Sequence, residues 1–161
     1  MTTLVVCCHP DDEALWCAGY LMTHPGTHVA CCCIDTRKIE RTYYFYKACE
    51  SLGAVPFVVA GEFDMWGLDT RPIEAFASTY DRIITHNEKG EYGHPAHIKL
   101  HHAMCSLGKP MQVFNYGITL GEPIDYERKL KALECYHDPM ILPWLKNKFA
   151  FDFAHETLLD R

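Results

Sequence analysis

The chain has 161 residues, 48% hydrophobic and 22% charged, proportions that suit one globular domain with a sizeable core. Its formal net charge of −6 argues against a nucleic-acid groove or an anionic membrane surface, both of which require a basic patch. No apolar run approaches the roughly 20 residues that span a bilayer, and no basic n-region precedes the first apolar run, so neither a transmembrane helix nor a signal peptide is expected.

Residues 3–8 form a short apolar run with β-branched valines, the pattern of a buried strand. His9-Pro10-Asp11-Asp12 breaks it, and the proline and acids suit a helix start. Glu13 to Met22 reads as that helix, ended by His24-Pro25-Gly26. His28 to Ile34 is a second strand, and Lys38 to Leu52 a second helix closed by Gly53. Its Tyr43-Tyr44-Phe45-Tyr46 cluster either packs that helix on the sheet or forms the subunit interface of a homo-oligomer. Pro56 to Ala60 is a third strand, 61–70 a loop, Pro72 to Tyr80 a short helix and Arg82 to His86 a fourth strand.

A second polar break covers Asn87 to Pro95, followed by a helix to Ser106 and a fifth strand over Met111 to Tyr116. Asp125 to Tyr136 is helical. In the tail, Phe149, Phe151 and Phe153 alternate like a strand, while Thr157 to Leu159 reads as helical. Strands alternating with helices predict a single α/β domain over 1–161. The expected architecture is Rossmann-like, a mostly parallel sheet with helices on both faces in a three-layer sandwich. Ligands of such sheets bind beyond the carboxyl ends of the strands, where strand order reverses, and both polar breaks follow strands.

Nine cysteines accompany this pattern. Neighbouring strand residues face opposite sides, so Cys7-Cys8 and Cys31-Cys32-Cys33 give no spaced disulfide framework, and no C-x-x-C pair marks a zinc ribbon. Buried free thiols in a reducing, cytoplasmic compartment are the expectation.

The two breaks carry the metal-competent residues: His9-Pro10-Asp11-Asp12-Glu13 and Tyr92-Gly93-His94-Pro95-Ala96-His97. A catalytic zinc takes three ligands from His and carboxylate and keeps one position open. His9, Asp12 and His97 supply such a set, which suits Zn2+ and also Fe2+. Amide hydrolysis at neutral pH needs an activated water, a base and an acid. Asp11 and His94 are the candidate pair, and a Tyr hydroxyl is a reasonable oxyanion donor.

Cys8-His9-Pro10-Asp11-Asp12-Glu13 resembles the first signature of the LmbE-like (PIG-L) N-acetylglucosaminyl deacetylase family. Thr85-His86-Asn87 with Gly90-Glu91-Tyr92-Gly93-His94-Pro95-Ala96-His97 resembles the second, and Lys129 to Tyr136 and Arg41 to Gly53 are weaker matches. The family commonly has Asp where Ala96 stands. The resemblance implies His9, Asp12 and His97 as metal ligands and Asp11 as general base. It implies His94 as oxyanion stabiliser or proton donor to the leaving amine, assisted by Tyr92. It further implies Arg41, with Arg37 as rival, as a sugar or phosphate contact. The implied activity is hydrolysis of an N-acetyl group from a small N-acetylated molecule, by default one containing N-acetylglucosamine. Deacylation of another N-acylated metabolite or nucleoside and a non-catalytic metal-stabilised binding module are the alternatives.

Trp66 and Asp64 are candidates for the substrate mouth. Trp16 and Trp144 read as packing residues, and His86 as a residue that holds a ligand or the loop. His101, four after His97, reads as a helix neighbour rather than a ligand.

Overall fold

The computed structural model describes residues 1–33, 39–61, 63–64, 67–115, 122–137, 143 and 155–161. Five parallel strands form the body of the sheet: β1 (Thr3–Cys7), β2 (His28–Cys33), β3 (Val55–Gly61), β6 (Arg82–Thr85) and β7 (Met111–Asn115). The short pair β4 (Phe63–Asp64) and β5 (Gly67–Leu68) forms an antiparallel hairpin where the sequence reads as loop. The sheet is completed by β8 (Glu122–Pro123) and β9 (His155–Asp160), in the order β3-β2-β1-β6-β7-β9-β8. Pro56 lacks a ladder donor, and it stands in β3, the edge strand that tolerates it.

β9 pairs antiparallel with β7, Leu159 opposite Val113 and Thr157 opposite Asn115. Thr157 to Leu159 is therefore strand, not the expected helix. Three residues carry no helical period of their own, and the open edge of β7 supplies the ladder bonds. The expected strand at Phe149, Phe151 and Phe153 lies outside the described residues, as do Arg37, Trp66 and Trp144.

The alternating pleat sorts the strand side chains into two apolar layers. Val5, Cys7, Val29, Cys31, Ile84 and Phe114 face one side. There α1 (Asp12–Trp16), α2 (Ala18–Thr23), α3 (Ile39–Leu52) and α7 (Tyr126–Glu134) cover them, with Leu15, Leu21, Phe45, Leu52 and Leu133 as packing residues. Leu4, Val6, Cys8, Ala30, Cys32, Ile83 and Val113 face the other side. These pack against α4 (Arg71–Ala77) and α6 (Pro95–Ser106) through Ile73, Ala77, Leu100 and Met104. The result is the three-layer α/β sandwich of the sequence reading.

The first expected helix is two short ones. At Cys17 the backbone leaves helical torsions (φ −136°, ψ 10°), although its N–H still reaches the Glu13 carbonyl at 3.2 Å. The aromatic cluster of α3 divides: Phe45 is fully buried, while Tyr43 and Tyr46 are exposed. All nine cysteines are free thiols. Among the described residues no helix is long and apolar enough to cross a membrane.

The order of the sheet locates the candidate functional edge. From β1 the chain winds outward through β2 and β3, then returns to β6 on the other side of β1 and continues to β7. Strand order reverses between β1 and β6, and the two polar breaks leave the carboxyl ends of these two strands. Thr85 locks them together by donating its hydroxyl to the Val6 carbonyl at 2.9 Å.

Candidate metal centre

The turn after β1 is fastened by short-range bonds. The Asp12 N–H reaches the His9 carbonyl at 3.3 Å, and the His9 N–H donates to Asp12 Oδ2 at 2.7 Å. Between them Asp11 caps α1 at φ 117°, a positive-φ conformation that Asp tolerates better than most side chains. The turn brings His9 and Asp12 together, and Asp11 between them is held separately: Arg41 of α3 donates to its Oδ2 at 2.7 Å and to the Pro10 carbonyl at 2.8 Å. Arg41 thus fixes the orientation of Asp11, a contact that the sequence reading did not foresee.

His97 arrives from the other break. It sits in the first turn of α6, after His94 at the N-cap and Pro95 at the helix start. His9 Nδ1 and His97 Nε2 are 3.0 Å apart, and each lies 3.5 Å from Asp12 Oδ2. Ligands at 2.0–2.2 Å from a tetrahedral ion stand roughly 3.3 Å apart, so this triangle of two imidazole nitrogens and one carboxylate oxygen fits a zinc-sized ion.

Further residues support the triangle. Glu91, buried in the short α5 (Gly90–Gly93) and at φ 57°, accepts from His97 Nδ1 at 2.6 Å and from His86 Nδ1 at 2.7 Å. A carboxylate on the far nitrogen fixes the ring and leaves Nε2 of His97 as the electron-pair donor. His86 and His97 hold the Glu91 carboxyl down to about 2, against the desolvation that raises it. The Trp16 indole donates to Asp12 Oδ1 at 3.2 Å, so each Asp12 oxygen is separately oriented. Desolvation raises the Asp12 pKa, and the nearby His97 and His86 overcome it, holding the carboxyl well below its usual range.

Asp12, His86 and His97 also bring one donor atom each within 4.8 Å. His86 is nevertheless occupied at both nitrogens: Nδ1 faces Glu91, and the Cys8 N–H donates to Nε2 at 3.0 Å. Glu91 and Asp12 draw its pKa up to about 10 against desolvation, but the Cys8 amide needs a lone pair on Nε2 and so favours the neutral ring. These bonds suit His86 to a supporting position beside the candidate centre, and leave His9 as the candidate third ligand. His101 is turned away, its Nδ1 2.8 Å from the His86 carbonyl.

His94 and Tyr92 border the triangle. The His94 ring stacks on His97 with centroids 4.5 Å apart and meets His9 edge-on at 4.7 Å. The Ala96 N–H donates to His94 Nδ1 at 3.3 Å, which places the proton of the neutral ring on Nε2. Burial, reinforced by His97 and His9, lowers His94 to about 4. The Tyr92 ring is 5.8 Å from His94 and 5.7 Å from His97, and burial raises its phenol pKa. Asp64 lies on β4, in the short hairpin that follows the carboxyl end of β3.

Beneath Asp11, Glu13 is fully buried and accepts from the Tyr136 hydroxyl at 2.5 Å and from the Asp11 N–H at 3.1 Å. Burial pushes Glu13 up to about 8, while the Tyr136 hydrogen bond pulls it down. Glu91, Trp16, Glu13 and Tyr136 had no assigned polar role in the sequence reading. The one available signal was acidic residues inside otherwise constrained turns, where a solvated charge has little room.

No protein-family model matches the chain, and no curated protein sequence does. Solved structures match its fold. GalB, the 4-carboxy-2-hydroxymuconate hydratase from Pseudomonas putida KT2440, superposes with a TM-score of 0.68 at 16% identity, covering 99% of this chain and 96% of that one. The zinc-inhibited form of the teicoplanin deacetylase Orf2 gives 0.67 at 11% identity, covering 100% and 99%. A complex of the deacetylase in the biosynthesis pathway of teicoplanin gives 0.65 at 12% identity, with the same coverage. At these identities the likeness establishes the shared α/β fold.

Proposed function

We propose that the chain is a metal-dependent amide hydrolase of the LmbE-like (PIG-L) type, which removes an N-acetyl group from a small molecule. The observation that carries this reading is the His9–Asp12–His97 triangle, with sides of 3.0, 3.5 and 3.5 Å, at the switch point of the sheet. Two His and one carboxylate suit Zn2+, with Fe2+ as the alternative occupant. An ion held there supplies Lewis acidity and lowers the pKa of water from about 15.7 toward about 7.

The chain's own residues supply the rest. Asp11, fixed by Arg41, takes the proton of the attacking water and returns it to the departing nitrogen. His94, with its proton on Nε2, donates a hydrogen bond to the carbonyl oxygen as charge develops there, and Tyr92 assists from the same side. Water adds to the carbonyl carbon, the C–N bond breaks, and acetate and a free amine leave. An N-acetylglucosamine-containing compound is the first substrate to test, on the strength of the two motifs. A deacetylase with this fold gives the reading independent support.

A second reading comes from the likeness to GalB, a hydratase. The same base and metal would then add water across a carbon–carbon double bond. Incubation with a panel of N-acetylated amino sugars, metabolites and nucleosides, followed by acetate and amine assays, separates the two. Acetate release that disappears in Asp11→Asn supports the hydrolase. Hydration of an unsaturated carboxylate with no acetate from any amide contradicts it.

A further inference from the structure

A second cluster of donor atoms stands beside the first. Cys8, at the end of the β1 apolar run, meets Cys32 and Cys33 at the end of β2, and the three Sγ atoms all lie within 4.8 Å of one another. Cys8 and Cys32 are fully buried, and Cys33 is 3% exposed. Consecutive residues of a regular strand face opposite sides, so Cys32 and Cys33 should not both reach Cys8. The register explains why they do. Cys31 pairs with Val58 but Cys33 with Gly61, an irregularity that breaks the alternation. The Cys33 N–H bonds the Cys8 carbonyl at 2.7 Å, and Cys8 Sγ lies 3.1 Å from Cys33 Sγ. All three thiols fall in one apolar layer, whereas Cys7, Cys17, Cys31 and Cys49 pack in the other.

We propose that Cys8, Cys32 and Cys33 form a second metal site, for a thiophilic cation of the Zn2+, Cd2+ or Cu+ class. Three convergent thiols are soft ligands, and they exceed the two that a disulfide would use. Metal–sulfur bonds of about 2.3 Å place three thiolates roughly 4 Å apart, so a modest opening of the Cys8–Cys33 contact admits the ion. Binding releases the thiol protons to solvent. The site adjoins the His/Asp centre: Cys8 Sγ is 3.8 Å from His9 Nε2, and the Cys8 N–H supports His86. It needs no substrate, so it stands or falls independently of the hydrolase reading.

Cadmium titration tests it. The chain, with exposed Cys105 and half-buried Cys135 changed to Ser, is kept reduced with a phosphine and titrated with Cd2+ alone. Thiolate-to-cadmium charge-transfer absorption and cadmium per chain by mass spectrometry are the readouts. The expected result is a strong charge-transfer band, largely lost in Cys33→Ser and retained in His97→Ala. Cys32→Ala serves as a second thiol variant, and circular dichroism establishes that each variant is folded. Absence of the band in the folded protein, or an equal band in the folded thiol variants, overturns the proposal. So does a Cys8–Cys33 disulfide that re-forms after reduction and excludes cadmium.

Discussion

The two strand-end segments that build the candidate metal centre hold their proposed ligands in different ways. After β1, His9 and Asp12 are three residues apart, and one turn fastened by the His9 N–H to Asp12 bond places both. After β6, His97 comes eleven positions beyond His86, and a buried carboxylate, Glu91, joins the two rings through a backbone at positive φ. The first segment is set by local geometry and the second by a buried polar network. Removal of a ligand from either segment should therefore remove the metal, whereas damage to the Glu91 network of the second should weaken and loosen it.

The largest effect is expected from Asp12→Ala, which removes one ligand and leaves His9, His86 and His97 facing an emptied carboxylate position. Equilibrium dialysis should show loss of stoichiometric binding at the His/Asp centre. Asp11→Asn separates chemistry from binding: acetate release should fall roughly 10²–10⁴-fold while metal content is unchanged. If both fall together, Asp11 belongs with the ligands and the division between the segments is drawn in the wrong place. Glu91→Gln probes the second segment. Its metal affinity should drop about 10–100-fold, measured by competition with a chelating dye. An unchanged affinity would mean that α6 alone orients His97.

The smallest effect lies beneath the first segment. Tyr136→Phe leaves Glu13 Oε1 without its hydroxyl donor, and denaturant unfolding should show a loss of about 1–3 kcal/mol. Metal binding should be nearly unaffected, because the Asp11 N–H still anchors Glu13 Oε2. A large loss of metal in this variant would tie the first turn to the core more tightly than its local bonds suggest.

The same contrast describes what the sequence made legible. Apolar runs of four to seven residues separated by helical patterns announce the parallel strands, since each run is buried by helices on both faces. His9, Asp12 and His97 stand out because two dense motifs follow two such runs. Features that depend on distant pairing are hidden. β9 is a strand because β7 offers an edge, and Cys32 and Cys33 share a face because of an irregular register with β3. The Glu13–Tyr136 bond joins residues 123 positions apart. Arg41 reads as a substrate contact in isolation, and the packing of α3 beside α1 turns it toward Asp11.

The most direct test of the metal centre is zinc content after loading and exhaustive dialysis, in a Cys33→Ser background that disables the thiol cluster. About one zinc ion per chain is expected by mass spectrometry, and its loss when His97→Ala is added. No retained zinc in the folded Cys33→Ser chain, or the same content with and without His97, would contradict it.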